Sequence, residues 1–361
     1  MGNGLPNISI VFQSAAVASI ARLSKGVIGV IVRDAQAQGA HSITSAAAIP
    51  AELGQSNRDY IARTFLGYVT PPRRVLLYVL PAEAADLAEA LAYFAGQIFD
   101  YLVGPPDIST AECAEVATWV KSERLINKAI CKAVLPDTAS DHEAIINFTT
   151  HDIVVGAGND EKTYSAAEYC SRMAGLLGGT PVTISSTFAP LPEVTSVPHM
   201  DRAEGDNAVN RGELILIHDG RQTKIGRGVN SLVTLTETLG PPFQKIKIVE
   251  IVDTIQHDIN AAIEDGYTGK RSNSYDNKLV LLIAIAAYLA VMEADGILAA
   301  GANMVDIDVD AQELYLKNIG TDTSKMSEQQ IREANTGSHV FMHGSLSILD
   351  AMEDVKVVFK I

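Results

Sequence analysis

The residues best placed to do chemistry are the carboxylates Asp306, Asp308 and Asp310, which have the D-x-D-x-D start of a calcium loop. The loop fails further on: Ala311 stands where the sharp turn demands glycine, and Lys317 where a bidentate Glu should close the site. With Val305, Ile307 and Val309 between them, these aspartates read as the wet face of a strand. His339 and His343 are four apart, but their segment lacks the Glu of HExxH and has a strand pattern. Gly156-Ala157-Gly158 opens a GxGxxG whose third glycine is replaced by Glu161, an acid that would repel a pyrophosphate. Gly226-Arg227-Gly228 meets Ser231 instead. Gly269-Lys270 resembles the end of a P-loop, yet Arg271 replaces the Mg²⁺-binding hydroxyl and Glu264 the first glycine. There is no GxSxG elbow. His151-Asp152 and His218-Asp219 sit in loop contexts, where polar surface is the plainer reading. No catalytic, cofactor or metal site is therefore expected; the alternative is a soluble α/β enzyme whose site is scattered over loops.

The elements that would have to position such residues are unusually regular. GVIGVIVR (26–33), RVLLYVL (74–80), IFDYLVG (98–104) and AICKAVLP (129–136) are uninterrupted apolar strands. Helical segments 57–67, 82–95 and 109–127 separate them. Such alternation means parallel pairing with both sheet faces covered. Ser109 followed by Glu112 is a capping box. IINFTT and DIVVGAG follow, then a helix at 164–179 whose Gly178-Gly179 stop suits a left-handed cap. Residues 180–200 hold four prolines and suggest a domain junction. Residues 213–235 read as a hairpin turning at Asp219-Gly220.

From Lys245 to Leu298 runs a helical pair. Ile248, Val252, Ile255, Ile259 and Ile263 draw one apolar stripe along its first member. Its second member has no charge from Leu279 to Met292, and reads as buried on every side. Fourteen uncharged residues fall short of the roughly 20 needed to span a bilayer. Beyond it come VDIDVD (305–310), a short helix at 327–334, a strand at 338–349 and the terminal VKVVFKI (355–361).

Composition bounds the rest. The 361 residues, 47% hydrophobic and 20% charged, suit about two globular domains. A formal charge of −15 argues against a protein that grips nucleic acid by its phosphates. Cys113, Cys131 and Cys170 are scattered and odd in number, which indicates a reducing compartment and no disulfide framework. The N-terminus has no signal-peptide pattern. Both ends carry short alternating strands without a local partner: Ile8, Ile10 and Phe12 at one, Val355, Val357, Phe359 and Ile361 at the other. Unpaired strands are normally suppressed, so these either fold back into their own sheets or enter those of other subunits.

The succession of segments resembles the tail sheath proteins of contractile-tailed phages and related injection particles. IVEIVDTIQHDINAAIEDGYTGKRSNSYDNKLVLLIAIAAYL (248–289), with its GK-x-x-N turn, is similar to that family's C-terminal signature. GLPNISIVF, TSAAAIPAEL running into YIARTFLG, PPRRVLLYVLP and SILDAMEDVKVVFKI support the resemblance in order along the chain. It implies an α/β chain, α+β overall. A central, mostly parallel sheet domain with helices on both faces is followed by a C-terminal α+β domain with the long helical pair. The domains expected are an extended arm (1–24), a subtilisin-like sheath domain (25–190), a β-rich continuation with the hairpin (191–242), the C-terminal domain (243–349) and a strand arm (350–361). The resemblance further implies a structural subunit without cofactor that polymerises with itself in stacked rings around a tail tube protein. Baseplate and tail terminator proteins are its other implied partners, with no nucleic acid and no membrane insertion. Its place is the virion tail or a tailocin, assembled in the host cytoplasm. Ile8, Ile10, Phe12, Val355, Val357, Phe359 and Ile361 would exchange between subunits. Lys245, Lys247, Lys270 and Arg271 would form a basic patch facing the tube.

Overall fold

The computed structural model describes residues 20–21 and 25–360; the expected arm strand at Ile8, Ile10 and Phe12 lies outside them. The chain divides into two compact units. One comprises Leu23–Ile255 with Asp350–Ile361, the other Gln256–Leu349. The chain thus leaves the first unit inside a helix and returns to it at Asp350, and residues 180–200 lie within that unit, not at its edge.

The first unit is built on a seven-stranded sheet. In chain order its elements are β1 (Val27–Arg33), β2 (Gly39–Ile43), α1 (Gln55–Thr64), β3 (Arg74–Leu80), α2 (Ala88–Phe94), β4 (Tyr101–Val103) and α3 (Thr110–Ile126). There follow β5 (Lys132–Pro136), β6 (Ile145–Phe148), β7 (Ile153–Val155), β8 (Lys162–Tyr164), α4 (Ala166–Gly178), β9 (Val194–Ser196), α5 (Arg202–Asn210), β10 (Glu213–Leu214), β11 (Leu216–His218) and β12 (Thr223–Ile225). The strand order is β10-β6-β5-β4-β1-β3-β2. Every pair is parallel except β2 on β3. The pleat of β1 sends Ile28, Val30 and Val32 into one core with α1 and α4, and Val27 and Ile31 into a second with α2 and α3. This is why its sequence is apolar without alternation.

Capping chemistry sets several helix starts. Ser109 and Glu112 exchange backbone contacts at α3, Ser165 and Glu168 at α4, and Asp201 and Glu204 at α5. Helix α2 is shorter than its pattern predicts, because residues 82–87 turn and Asp86 accepts the Ala88 N–H (3.1 Å). The hairpin is also shorter: only β11 and β12 pair, across a turn in which Gly220 has φ 86°. Strands β8-β7-β9 form a small antiparallel sheet.

Helix α4 is buried on all sides from Tyr169 to Gly178, and Ser171 and Arg172 there are satisfied: Ser171 Oγ donates to Tyr60 O (2.7 Å) and Arg172 Nη1 to Gly67 O (2.8 Å). Its glycines supply space, not a left-handed cap. Gly179 has φ −87°, but a Cβ there would lie 2.1 Å from Thr70 O, and one on Gly175 2.0 Å from Thr64 O.

Helix α6 (Ile246–Gly266) begins in the first unit and ends in the second. The second unit continues with α7 (Tyr275–Ala294), β13 (Met304–Ile307), α8 (Val309–Asn318), α9 (Glu328–Glu333) and β14 (Met342–Ser345). Two expectations change here. Helix α7 is not buried on every side: it packs Leu281, Ile285, Tyr288 and Met292 inward, while Ile283 and Val291 are half exposed. The strand expected over 305–310 ends at Ile307, because Asp308 caps α8 by accepting the Ala311 N–H (2.9 Å). Strand β14 pairs antiparallel with β13 over four residues only, Ile307 facing Met342 and Met304 facing Ser345.

Candidate assembly interface

Residues 355–360 belong to no strand among the described residues. Val355 is 76% exposed and Phe359 85%, with Val357 and Val358 similarly open. Among the described residues the β13–β14 sheet has two strands and no further partner on either edge, with Met304 half exposed on β13. An apolar segment with free backbone groups and a sheet with free edges are the two halves of a β-augmentation pair. Ile361, Ile8, Ile10 and Phe12 lie outside the described residues.

The four basic residues divide between the two units. Lys245 Nζ is spent on Glu353 Oε2 (3.0 Å) and on Asp350. Lys247 is buried, and burial pulls its ammonium below the usual lysine range. Both belong to the first unit. Lys270 and Arg271 belong to the second and remain exposed. There Lys270 Nζ donates to Glu264 O (3.3 Å) and Asp265 O at the end of α6, a favourable place for a cation, and the Arg271 guanidinium lies 5.1 Å from the Tyr267 ring centroid.

Asn273 explains the GK-x-x-N turn. Its Nδ2 donates to Thr336 Oγ1 (3.1 Å), Gly337 O (2.8 Å) and His339 O (2.9 Å), pinning the loop between α6 and α7 to the segment that leads into β14. Beside it Lys278 is buried among neutral acceptors, Gln312 Oε1 (3.1 Å) and Thr336 Oγ1 (3.3 Å), and burial lowers its pKa. The Asp306 carboxylate is taken by Arg332 through two 2.8 Å bonds, which hold its pKa at about 2. Asp306 and Asp308 thus have separate structural roles.

Sequence reasoning missed a buried charged joint in the first unit. Lys132, at the start of β5, reaches Asp253 (2.8 Å) and Glu250 (3.3 Å) on α6. Asp253 also takes both Nη atoms of Arg124 (2.8 and 3.1 Å), and Glu250 takes Lys25 (2.6 Å) and the Tyr101 hydroxyl. Asp100, before β4, accepts the Gly26 and Val27 N–H groups (2.7 and 2.8 Å). Burial alone would raise Glu250, but Lys132 and Lys25 outweigh it and hold the carboxyl at about 2. Burial likewise opposes the Lys132 charge, yet Asp253 and Glu250 keep its pKa above the ordinary lysine value. Asp100 shifts upward, chiefly by burial and then by the Glu250 charge. The signal available in sequence was two acids three apart, Glu250 and Asp253, in first turns of a helix that are apolar but for them and Lys247. The adjoining cavity, lined by Lys25, Lys247 and Glu250, holds about 10 Å³, room for one water. This joint fixes the base of α6 to the sheet; it does not admit a substrate.

Along its whole length the chain resembles one curated relative closely. It is 36% identical over 359 residues to the tail sheath protein of Clostridium phage phiCD119, which covers 98% of each. This chain belongs to the tail sheath protein family. The model of the phage tail sheath C-terminal domain matches residues 238–361 of this sheath protein, a range that takes in α6, the Asn273 turn, β13–β14 and the exposed terminal segment. Its fold is similar to the anti-feeding prophage helical sheath in the contracted state, with TM-score 0.71 at 14% identity over 99% of each chain. It is also similar to the sheath tail protein of Listeria innocua, with TM-score 0.67 at 15% identity over 82% of this chain and 92% of that one.

Proposed function

We propose that this sheath subunit polymerises with its own kind around a tail tube and shortens as a polymer to drive the tube through a target envelope. One observation carries the assembly reading: among the described residues the exposed apolar segment 355–360 has no strand partner, and β13–β14 has none on either edge. In the polymer, Val355, Val357, Phe359 and Ile361 of one copy would extend the β13–β14 sheet of a neighbour, joined there by Ile8, Ile10 and Phe12. Each main-chain hydrogen bond so formed adds about 0.5–1.5 kcal/mol, and the apolar side chains add burial. Links of this kind persist while the contacts between bodies break and reform, which is how packed interfaces switch between two states. Lys270 and Arg271, the exposed members of the basic set, are the residues proposed to meet an acidic tube protein. Baseplate and terminator proteins would complete the contacts in a phage tail or tailocin.

Electron microscopy of the purified protein tests the reading. Full-length chain should form uniform tubes, and a variant ending at Asp354 should stay a folded monomer. Tubes formed by the truncated chain would refute strand donation by residues 355–361.

A further inference from the structure

Just ahead of the exposed segment, the chain places three acids in five residues, Asp350, Glu353 and Asp354, and each meets the body of the first unit. The Glu353 side chain is only 5% exposed. Its Oε1 accepts from Ser185 Oγ (2.9 Å) and Thr187 Oγ1 (2.5 Å), and its Oε2 from Lys245 Nζ (3.0 Å), with Arg227 Nε at 3.6 Å. Asp350 shares Lys245, and Asp354 Oδ2 takes Arg227 Nη2 (2.5 Å). Between these contacts Met352 is 95% exposed. The segment is therefore held by its carboxylates and by little else.

The receiving surface is itself braced. The Thr187 N–H donates to Ser185 Oγ (3.1 Å) and the Gly228 N–H to Thr187 Oγ1 (2.9 Å). Val229 and Lys245 form an antiparallel bridge that sets the root of the lysine. A carboxylate entering this seat meets two hydroxyls and two cations already in position. Charge-assisted bonds of this kind are about twice as strong as neutral ones.

We infer that Ser185, Thr187, Arg227 and Lys245 form a built seat for an acidic extended peptide, and that its occupant is residues 350–354 of the same chain. The contact clamps the root of the terminal segment. The reading rests on the proposed strand donation, because its consequence is geometric. Seven residues beyond a fixed Asp354 reach about 23 Å, whereas twelve beyond a free Leu349 would reach about 40 Å. A short tether from a fixed point gives the donated strand a high effective concentration at one acceptor and denies it others.

A spin label on a Met352→Cys variant tests the clamp, since Cys113, Cys131 and Cys170 are buried and escape labelling. In dilute, unpolymerised protein the label should report slow motion. Adding Asp350→Ala, Glu353→Ala and Asp354→Ala together should free it, and Glu353→Gln, which keeps the hydroxyl bonds, should free it only in part. A label already mobile without these changes, or unmoved by the triple change, would overturn the seat. The triple variant, without the label, should also need on the order of tenfold more protein to polymerise. Polymerisation at an unchanged concentration despite a mobile label would overturn the anchoring role. The chain ending at Asp354 keeps the seat occupied, so its behaviour tests strand donation separately.

Discussion

Replacing Asp253 with Asn should cost the first unit about 3–5 kcal/mol, the usual penalty for removing one partner of a buried ion pair. The side chains of Asp253 and Lys132 are 3% and 2% exposed, so Lys132 cannot turn to water for compensation, whereas Arg124 is 15% exposed and keeps Glu143 at 3.8 Å. Lys132 keeps Glu250 at 3.3 Å, which places the expectation at the lower end, about 3 kcal/mol. In a unit of roughly 245 residues, each kcal/mol shifts the melting point by about 2 °C, so the variant should melt about 6 °C lower. Trp119 is the chain's single tryptophan. It lies in α3 and stacks on Phe99 with ring centroids 6.4 Å apart, so its fluorescence in a urea titration reports on this unit alone. A paired change, Asp253→Asn with Lys132→Met, removes both buried charges and should recover part of the loss. A loss below about 1 kcal/mol, or a double variant less stable than the single one, would refute the view that the joint is a mutually dependent charge cluster.

Three further outcomes follow from other parts of the fold. Lys278 has its pKa lowered by burial. Between the folded value and the ordinary 10.5 the unfolded chain binds more protons, so stability of the second unit should rise with pH across that window; Lys278→Met should abolish the slope in urea midpoints taken at successive pH values. Asn273→Ala leaves the Gly337 and His339 carbonyls without this donor and should cost about 1–3 kcal/mol, with faster hydrogen exchange around residues 336–341. Gly175→Ala should cost more than about 3 kcal/mol by chemical denaturation, since backbone at 2.0 Å cannot yield as a side chain would.

Much of the first unit was legible because parallel strands announce themselves: β1 and β3 are apolar without a break, and both sheet faces are covered. The capping box at Ser109 was equally plain, since its two partners are three residues apart. What escaped was set by distant contacts. The buried face of α7 could not be told from its exposed one, because Ile283 and Ile285 are the same side chain on opposite sides of one helix. The glycines ending α4 looked like a turn signal, whereas the constraint on Gly179 comes from Thr70, about a hundred residues earlier. The joint joins Lys25, Lys132 and Glu250 across more than two hundred positions, and no local spacing encodes that. The terminal segment alternates locally like a strand, yet residues 355–360 form none among the described residues.

The return of the chain to the first unit at Asp350 makes the second unit an insert that could be cut out. Lys245 contacts Asp350, and Ile255 lies ten residues along α6 from Lys245, a rise of about 15 Å. A flexible linker of about eight residues would therefore bridge Ile255 to Asp350 and leave the sheet, the joint and the seat intact. Such a chain would retain the terminal segment but lack the β13–β14 sheet proposed to receive one. It would act as a chain terminator, able to enter a growing polymer as donor and unable to continue it.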